Sequence, residues 1–254
     1  MREDFSRPRD VHSRGAQVDV HSRGAASVVD TMPATLTYFA GWGLAEQGRW
    51  CLAAGGIPFV NRALATHEEF VALRDSGELL FGQLPLLEID GLKLVQSQAI
   101  CRHVAKISGM AGKNPGEEAL ADMVAEAVRD ARGGVTGFPF TDDPATHAQQ
   151  HGMRLMMKQL PWIEAVVQRS GEGTVCKSGI TYADVLIAEM LDGYKHFLAE
   201  GWLDSFPALK GLHKTVLELP GVAAYLQSEQ RYPFPQGEVG FKYVMNVQQV
   251  LHGA

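Results

Sequence analysis

The sequence predicts a small α/β domain followed by an all-helical domain. At 254 residues the chain is long enough for one or two domains with a buried core. Strand and helix patterns alternate over residues 35–110, whereas only helical patterns occupy residues 115–254. The composition, 46% hydrophobic and 20% charged, is that of an ordinary globular protein.

The α/β domain is predicted to begin with a short strand over residues 36–39, a helix over 45–54 and a second strand over 57–64. An Asp-Gly pair at 90–91 lies between two apolar runs, which is a strong signal for a β-hairpin. Ser97 can cap the helix that comes next. The order β-α-β, hairpin, helix is that of a thioredoxin-like domain.

The helical domain carries its own start and stop signals. Residues 144–168 have the pattern of one long helix, which Pro161 should kink or break. Thr181 and Asp184 form a variant of the capping box at the start of a further helix. Residues 239–250 are a candidate for the last helix.

The first 34 residues differ from the rest of the chain. They are polar and rich in arginine and serine, and residues 10–16 recur as residues 19–25. A repeat of this composition buries too little apolar area to fold, so we expect residues 1–34 to be a disordered extension. The segment lacks the apolar stretch of a secretory signal.

Charge and cysteine content argue against several classes of protein. The formal net charge of −6 argues against nucleic acid or an anionic membrane as a partner. No apolar run reaches the roughly 18 residues of a membrane span. Cys51, Cys101 and Cys176 are far apart and follow no metal-ligand or disulfide spacing. We therefore expect a cytoplasmic protein without bound metal.

The predicted hairpin and the helix after it could bind an extended peptide. A hairpin edge offers free N–H and C=O groups, with which a peptide can pair. The Leu84–Pro85 bond is a plausible cis site, because cis peptide bonds are essentially confined to X-Pro steps. Gln96 and Ser97 precede a helix whose N-terminal N–H groups can receive a carboxylate.

These segments resemble the glutathione site of the Tyr-type cytosolic glutathione transferases. The matching residues are Gln83 to Pro85, Glu88 to Gly91, and Val95 to Ser97 followed by Ala99 and Ile100. The run over 73–97 is especially similar to the alpha class, and the mu and sigma classes share its general plan. The resemblance covers about residues 35–230. It implies a thioredoxin-like domain joined to an all-α domain, and glutathione as co-substrate.

The resemblance also implies which residues form the site. Tyr38 corresponds to the catalytic tyrosine at the end of the first strand. The residues implied to bind glutathione are Arg74, Gln83, Leu84, Pro85, Gln96, Ser97 and Asp130. Asp130 is implied to reach the γ-glutamyl amine across a dimer interface, so the family resemblance predicts a homodimer.

The implied chemistry at Tyr38 is activation of a thiol. A thiol with a pKa of about 8.5 is mostly protonated at neutral pH, although the thiolate is the nucleophile. A phenol O–H directed at the sulfur stabilises the thiolate and lowers the thiol pKa. The thiolate then attacks a hydrophobic electrophile. We expect the electrophile's pocket to be formed by residues after Phe39, by residues 130–145 and by the C-terminal tail.

The chain departs from the family pattern beside Tyr38. Trp42 and Leu44 stand where many members have arginine, and alpha-class enzymes use the second arginine to support the thiolate. Mu-class enzymes carry leucine there and remain active, so the change does not exclude catalysis. Arg49 matches a structural arginine, and we expect it to pair with an acid rather than to touch the thiol.

Three other interpretations remain. The chain could be a non-catalytic member that binds glutathione or a hydrophobic ligand, or that has a structural role, because the two arginines are missing. It could be a glutathione-dependent isomerase of the sigma kind, which would use the same thiol. A dinucleotide site at Gly41 and Gly43 is disfavoured, because Glu46 replaces the third glycine of that fingerprint.

Overall fold

The computed structural model of this chain describes residues 33–253. The predicted disorder of residues 1–34 therefore concerns a segment that lies almost wholly outside the described residues. Residues 33–253 belong to one compact unit.

The first part of the fold is a four-stranded mixed sheet. Its strands are β1 (Ala34–Tyr38), β2 (Phe59–Ala63), β3 (Leu86–Ile89) and β4 (Leu92–Val95), in the order β2-β1-β3-β4. β1 is parallel to β2 and antiparallel to β3, and β3 is antiparallel to β4. This topology confirms the predicted thioredoxin-like order of a β-α-β unit followed by a hairpin.

The hairpin turn has the conformation that its two residues favour. Asp90 and Gly91 both have positive φ angles, of 49° and 77°. A two-residue turn with both central residues at positive φ matches the twist of the flanking strands, and Asp-Gly is a preferred pair for it. The turn fixes the register of β3 against β4.

Three helices pack with the sheet. They are α1 (Glu46–Ala54), which follows a single 3₁₀ turn, α2 (His67–Asp75) and α3 (Ser97–Ile107). α2 begins with a capping box, in which Thr66 accepts from the Glu69 N–H and Glu69 accepts from the Thr66 N–H. α1 and α3 pack against each other and α1 also packs against the helix Tyr182–Tyr194 of the helical part, so α1 lies at the junction of the two parts.

The remainder of the described chain contains helices and loops. Its helices are α4 (Pro115–Ala131), α5 (Gly133–Gly137), α6 (Pro144–Arg154), α7 (Leu160–Ser170), α8 (Tyr182–Tyr194), α9 (Pro207–Leu217), α10 (Pro220–Gln227) and α11 (Gly237–His252). Every residue of α8 is buried, because α1, α4 and α9 all pack on it. The predicted capping box of α8 and the predicted last helix are both present.

Two local details differ from the sequence-based expectations. Ser97 is the first residue of α3 and not its cap; Gln96 takes the N-cap position at φ 72°, where the chain turns sharply out of β4. The long helix over 144–168 is divided into α6 and α7 by a π-helical turn at Leu155–Gln159. Pro161 lies in the first turn of α7, where a missing N–H costs no helical hydrogen bond.

A buried polar cluster joins α1 to α10. The Glu46 carboxylate is fully buried and accepts hydrogen bonds from Arg49, Trp50 and the hydroxyl of Tyr225. Charges buried in this way are stable only when they are paired and hydrogen-bonded. Glu46 and Arg49 therefore hold the two parts of the fold in one arrangement, which confirms that Arg49 pairs with an acid.

Candidate functional site

The strand register brings three separate segments to one end of the sheet. Thr37 pairs with Leu86 across β1 and β3, and Leu86 pairs with Val95 across β3 and β4. At the same end of the sheet, the next residues after Thr37, Leu86 and Val95 are Tyr38, Pro85 and Gln96, respectively. Pro85 and Gln96, which are 47 and 58 positions from Tyr38 in the sequence, therefore lie one and two strand spacings of about 5 Å from it.

The segment before β3 has an unusual backbone and a side-chain link to β4. The Leu84–Pro85 bond is cis, as the resemblance implies. The amide of Gln96 donates from Nε2 to Oε1 of Gln83 over 2.9 Å. Both amide side chains are exposed, while Leu84 is half-buried and Pro85 is buried. Two amide groups thus face outward next to a backbone segment that enters the sheet.

Arg74 and Ser97 lie next to the segment Gln83 to Pro85 and to Gln96, respectively. A Cβ atom placed on Gly82 would lie 3.9 Å from Cγ of Arg74, so Arg74 passes close to the residue before Gln83. Its guanidinium is exposed and pairs with Asp75. Ser97 is half-buried at the start of α3, where no side chain caps the helix. The first turn of a helix offers backbone N–H groups to an anion.

The hydroxyl of Tyr38 is held by the loop between β1 and α1. Its Oη accepts a hydrogen bond from the Leu44 N–H over 3.0 Å. A phenol oxygen that accepts one bond still has its own proton to donate. Tyr38 is almost buried, at 5% exposed.

Tyr243 of α11 accounts for much of this burial. A Cβ atom placed on Gly43 would lie 2.4 Å from Oη of Tyr38 and 2.5 Å from Oη of Tyr243, so the two hydroxyls are neighbours. Burial raises the pKa of Tyr243, and the adjacent Tyr38 raises it further. Tyr243 therefore presents a neutral hydroxyl to Tyr38. No local pattern signals this contact between residues about 200 positions apart.

Two glycines allow this close approach. Gly43 has φ +43°, a conformation that disfavours side chains, and any Cβ would collide with both hydroxyls. A Cβ on Gly41 would lie 2.2 Å from the Tyr243 ring. The two glycines that resemble a dinucleotide fingerprint are thus explained by tyrosine packing.

A second buried ion pair, Arg132 with Glu189, also reaches this loop. Arg132, at the C-terminal end of α4, is 2% exposed and donates from Nε and Nη2 to the Glu189 carboxylate, over 2.7 and 2.5 Å. Nη2 also donates to the Gly43 carbonyl over 3.0 Å. Burial opposes the charge on Arg132, but Glu189 more than compensates, and the pKa of the guanidinium is raised.

Asp130 is exposed and lies near the end of α4. It is 70% exposed and its nearest cationic partner is Arg129, at 3.7 Å. Large apolar side chains are also exposed on both parts of the molecule: Leu80, Phe81, Met123, Met157 and Trp162. These residues are available to contact a further molecule.

A surface cavity of about 500 Å³ lies between the segment after α5 and the C-terminal helix. Its apolar walls include Phe138, Phe140, Phe241 and Val244. The ring of Phe140 packs against Tyr243 with centroids 5.8 Å apart. Two of the three segments that we expected to form an electrophile pocket therefore form this cavity, and Tyr243 connects it to Tyr38.

Within residues 33–253 no cluster of three or more potential metal ligands occurs. No helix in that part of the chain is long and apolar enough to cross a membrane. Cys51, Cys101 and Cys176 are all free thiols and all buried. Burial raises the pKa of Cys176 to about 11, which keeps it protonated and unreactive at neutral pH.

Comparison with protein-family models gives two matches. The N-terminal domain of glutathione S-transferase matches residues 34–106, and a C-terminal domain of the same family matches residues 129–229. The two matches correspond to the sheet-containing part and to the helical part of the structure.

Curated relatives and solved structures agree with these matches. Glutathione S-transferase alpha-5 of Rattus norvegicus is 36% identical over 202 residues, which is 78% of this chain and 91% of that protein. Glutathione S-transferase A2 of Bos taurus is 36% identical over 201 residues, 78% of this chain and 90% of that protein. A glutathione S-transferase structure from Ascaris lumbricoides superposes with a TM-score of 0.67 at 29% identity, covering 80% of this chain and 99% of that one.

Proposed function

The chain belongs to the glutathione S-transferase family, and from that premise we propose that it conjugates the glutathione thiol to a hydrophobic electrophile, with Tyr38 as the group that activates the thiol. The observation that carries this proposal is the position of the Tyr38 hydroxyl. It lies at the end of β1, in register with Pro85 and Gln96, and the Leu44 N–H holds it with its own proton still available.

Glutathione would bind along the end of the sheet beside Tyr38. The backbone of Leu84 and Pro85 offers pairing groups to the extended tripeptide. Gln96, Ser97 and the first turn of α3 would receive the γ-glutamyl carboxylate, because N–H groups converge there. Gln83 contributes its amide, and the exposed Arg74 would pair with the glycyl carboxylate.

The catalytic role of Tyr38 follows from its hydrogen bonding. With Oη already accepting from Leu44, the phenol proton can point at the glutathione sulfur. A donor aimed at sulfur favours the thiolate over the thiol and so lowers the thiol pKa. Holding the electrophile next to that thiolate supplies the remaining rate gain.

Access to the Tyr38 hydroxyl requires α11 to move. Tyr38 is only 5% exposed and Tyr243 packs beside its hydroxyl, so we propose that Tyr243 shifts when the glutathione sulfur approaches Oη. α11 also forms one wall of the apolar cavity. We place the hydrophobic electrophile in this cavity, so that one movement of α11 would join the two binding regions.

The exposed apolar residues support a homodimer as the working form. Phe81 and Met123 are 63% and 69% exposed, and they come from the α/β part and the helical part respectively. Large apolar side chains that lie together on a surface mark protein interaction sites. In such a dimer Asp130, at 70% exposed, is free to reach the γ-glutamyl amine in the partner's site. The buried, free cysteines are compatible with the proposed location in the cytoplasm.

Glutathione-affinity capture followed by a conjugation assay with an aryl halide tests the proposal. We expect wild type and Tyr38→Phe to be captured alike. Conjugation by Tyr38→Phe should fall by roughly ten- to a thousand-fold, because one donor to a developing anion is lost. Equal rates would remove Tyr38 from the mechanism. Capture without conjugation by the wild type would favour the binding-protein or isomerase interpretation.

A further inference from the structure

We infer that Arg132 is a positioning residue for the Tyr38 hydroxyl, acting through the Gly43–Leu44 peptide group that lies between them. The inference rests on the function proposed above, because it takes Tyr38 as the partner of the glutathione thiol. It adds a residue of the helical part to a thiol site whose predicted members nearly all belong to the α/β part.

One peptide group is hydrogen-bonded at both ends. Its N–H, from Leu44, donates to Oη of Tyr38 over 3.0 Å. Its carbonyl, from Gly43, accepts from Nη2 of Arg132 over 3.0 Å. A cation bound to the carbonyl polarises the amide and makes its N–H a stronger donor. The charge of Arg132 thus acts on Tyr38 across a single amide.

A stronger hydrogen bond to Oη has a defined chemical effect. A phenol oxygen that accepts a stronger bond tolerates negative charge better, so its own O–H becomes a better donor. The thiolate that receives this O–H is then stabilised relative to the thiol. Arg132, which follows the last residue of α4, therefore places a positive charge next to the loop between β1 and α1. Trp42 and Leu44 of that loop carry no charge.

The planar guanidinium is suited to this arrangement. Nε and Nη2 bind the Glu189 carboxylate, and Nη1 donates to Oγ1 of Thr136 over 2.8 Å. These contacts fix the plane of the group, so the bond from Nη2 to Gly43 has a fixed direction. An ion pair that only joined α4 to α8 would not need this fourth contact with the other part of the fold.

Charged and titratable groups from several helices face this region. Arg132 and Glu189 come from α4 and α8, while Glu46 and Arg49 come from α1. Tyr243, from α11, has a raised pKa and remains neutral over the working pH range. The Arg49 guanidinium is a natural control, because it is equally buried but donates to the carbonyls of Gly41 and Trp42 instead of Gly43.

Three variants separate positioning from simple stabilisation, with the pH profile of kcat/KM for conjugation as the readout. Arg132→Gln/Glu189→Gln removes both charges; the change at Glu189 keeps the side-chain volume, whereas the change at Arg132 shortens the side chain and removes the donor to Gly43. Glu189→Gln leaves the cation and removes its counter-charge. Arg49→Gln/Glu46→Gln makes the matched change in the control pair. Circular dichroism and thermal melting establish that each variant is folded.

The two Arg132-site variants should shift the profile in opposite directions. Arg132→Gln/Glu189→Gln should raise the apparent thiol pKa by about half a unit. Below that pKa, the fraction of thiolate would then be about threefold smaller. Glu189→Gln should lower it by a similar amount, and the control pair should leave it in place. If Glu189→Gln fails to fold, because it leaves a buried cation unpaired, the double variant alone decides, and an unchanged or lowered pKa there overturns the inference.

Tyr38→Phe, measured in parallel, distinguishes a failure of the role inferred for Arg132 from a failure of the role proposed for Tyr38. If Tyr38→Phe shifts the profile and the Arg132-site variants do not, the role of Arg132 is wrong while the proposed function stands. If Tyr38→Phe also leaves the profile unchanged, the proposed role of Tyr38 fails as well. Equal shifts in the control pair would show a general loosening of the domain contact and would also overturn the inference.

Discussion

At the scale of single residues, the proposed thiol site depends on the lack of a side chain at Gly43. Gly43 lies at positive φ and leaves no room for a Cβ beside the two tyrosine hydroxyls. The same residue supplies the carbonyl that Arg132 binds. Its neighbour Leu44 supplies the N–H to Tyr38.

Gly43→Ala should therefore damage catalysis more than stability. The new methyl group must displace Tyr38 or Tyr243, so we expect kcat/KM to fall by about ten- to a hundredfold. The backbone conformation alone should cost about 1 kcal/mol in the free energy of unfolding. Conjugation kinetics and urea unfolding measure the two effects.

Gly56→Ala is the matched control for this prediction. Gly56 also has a positive φ, of 65°, but a Cβ there meets nothing within 4 Å. We expect the same stability loss with unchanged kcat/KM. A Gly43→Ala enzyme as active as Gly56→Ala would mean that the two hydroxyls are not packed as described.

The resemblance to the family predicted Tyr38 and its neighbours as site residues, but it did not point to Tyr243, Arg132 or Glu189. These three reach the site from distant helices, and no local pattern connects them to residue 38. A partial signal was present for Glu189. It is one of three acids in the buried helix α8, with Asp184 and Asp192, and a buried carboxylate requires a partner such as a buried cation.

At the scale of secondary-structure elements, local signals predicted the hairpin, the cap of α8 and the last helix. They failed where packing decided between alternatives. Pro161 signalled a break in the helix over 144–168, but nothing local placed that break in a π turn at Leu155–Gln159. Ser97 has the right chemistry for a cap, but the exit from β4 assigns that position to Gln96.

One inter-element contact has a testable pH dependence. Asp122 of α4 accepts hydrogen bonds from Arg102 of α3 and from the Tyr182 hydroxyl of α8. The bond from Arg102 lowers the pKa of Asp122. A carboxylate with a lowered pKa in the folded state stabilises that state above its unfolded pKa of about 4. The contribution is lost as the pH falls through the folded value.

Asp122→Asn should thus destabilise the protein by about 0.5–1 kcal/mol at pH 7, a modest amount because the pair is partly exposed. The difference from wild type should shrink as the pH falls below about 4. Urea unfolding across this pH range is the measurement. Asp204→Asn, at the exposed Lys210 pair, should show almost no difference at any pH. A loss at Asp122 that does not depend on pH would rule out the charge as its source.

At the scale of the whole molecule, the proposed dimer would cover apolar side chains that are exposed in the monomer. Phe81 precedes the glutathione-site segment by only two residues, so its environment and that of Gln83 are coupled. A dimer that covers Phe81 would stabilise the segment that binds the tripeptide. One relative of known structure, from Necator americanus, is described as monomeric, so family membership alone does not decide the oligomeric state of this chain.

Phe81→Ser should shift the protein from dimer to monomer and raise the KM for glutathione. Sedimentation at several protein concentrations and steady-state kinetics measure the two effects. Val60→Thr, at an exposed residue of the opposite edge strand β2, should change neither. A wild type that sediments as a monomer at all concentrations would contradict the dimer.

The central claim is that the Tyr38 hydroxyl lowers the pKa of the glutathione thiol, and the most direct measurement is a pH titration of bound glutathione by the ultraviolet absorbance of its thiolate. In the wild type we expect the thiol to titrate at least about one unit below the free value of about 8.5. In Tyr38→Phe it should return to within about half a unit of the free value. If glutathione bound to the two proteins titrates at the same pH, the account is contradicted.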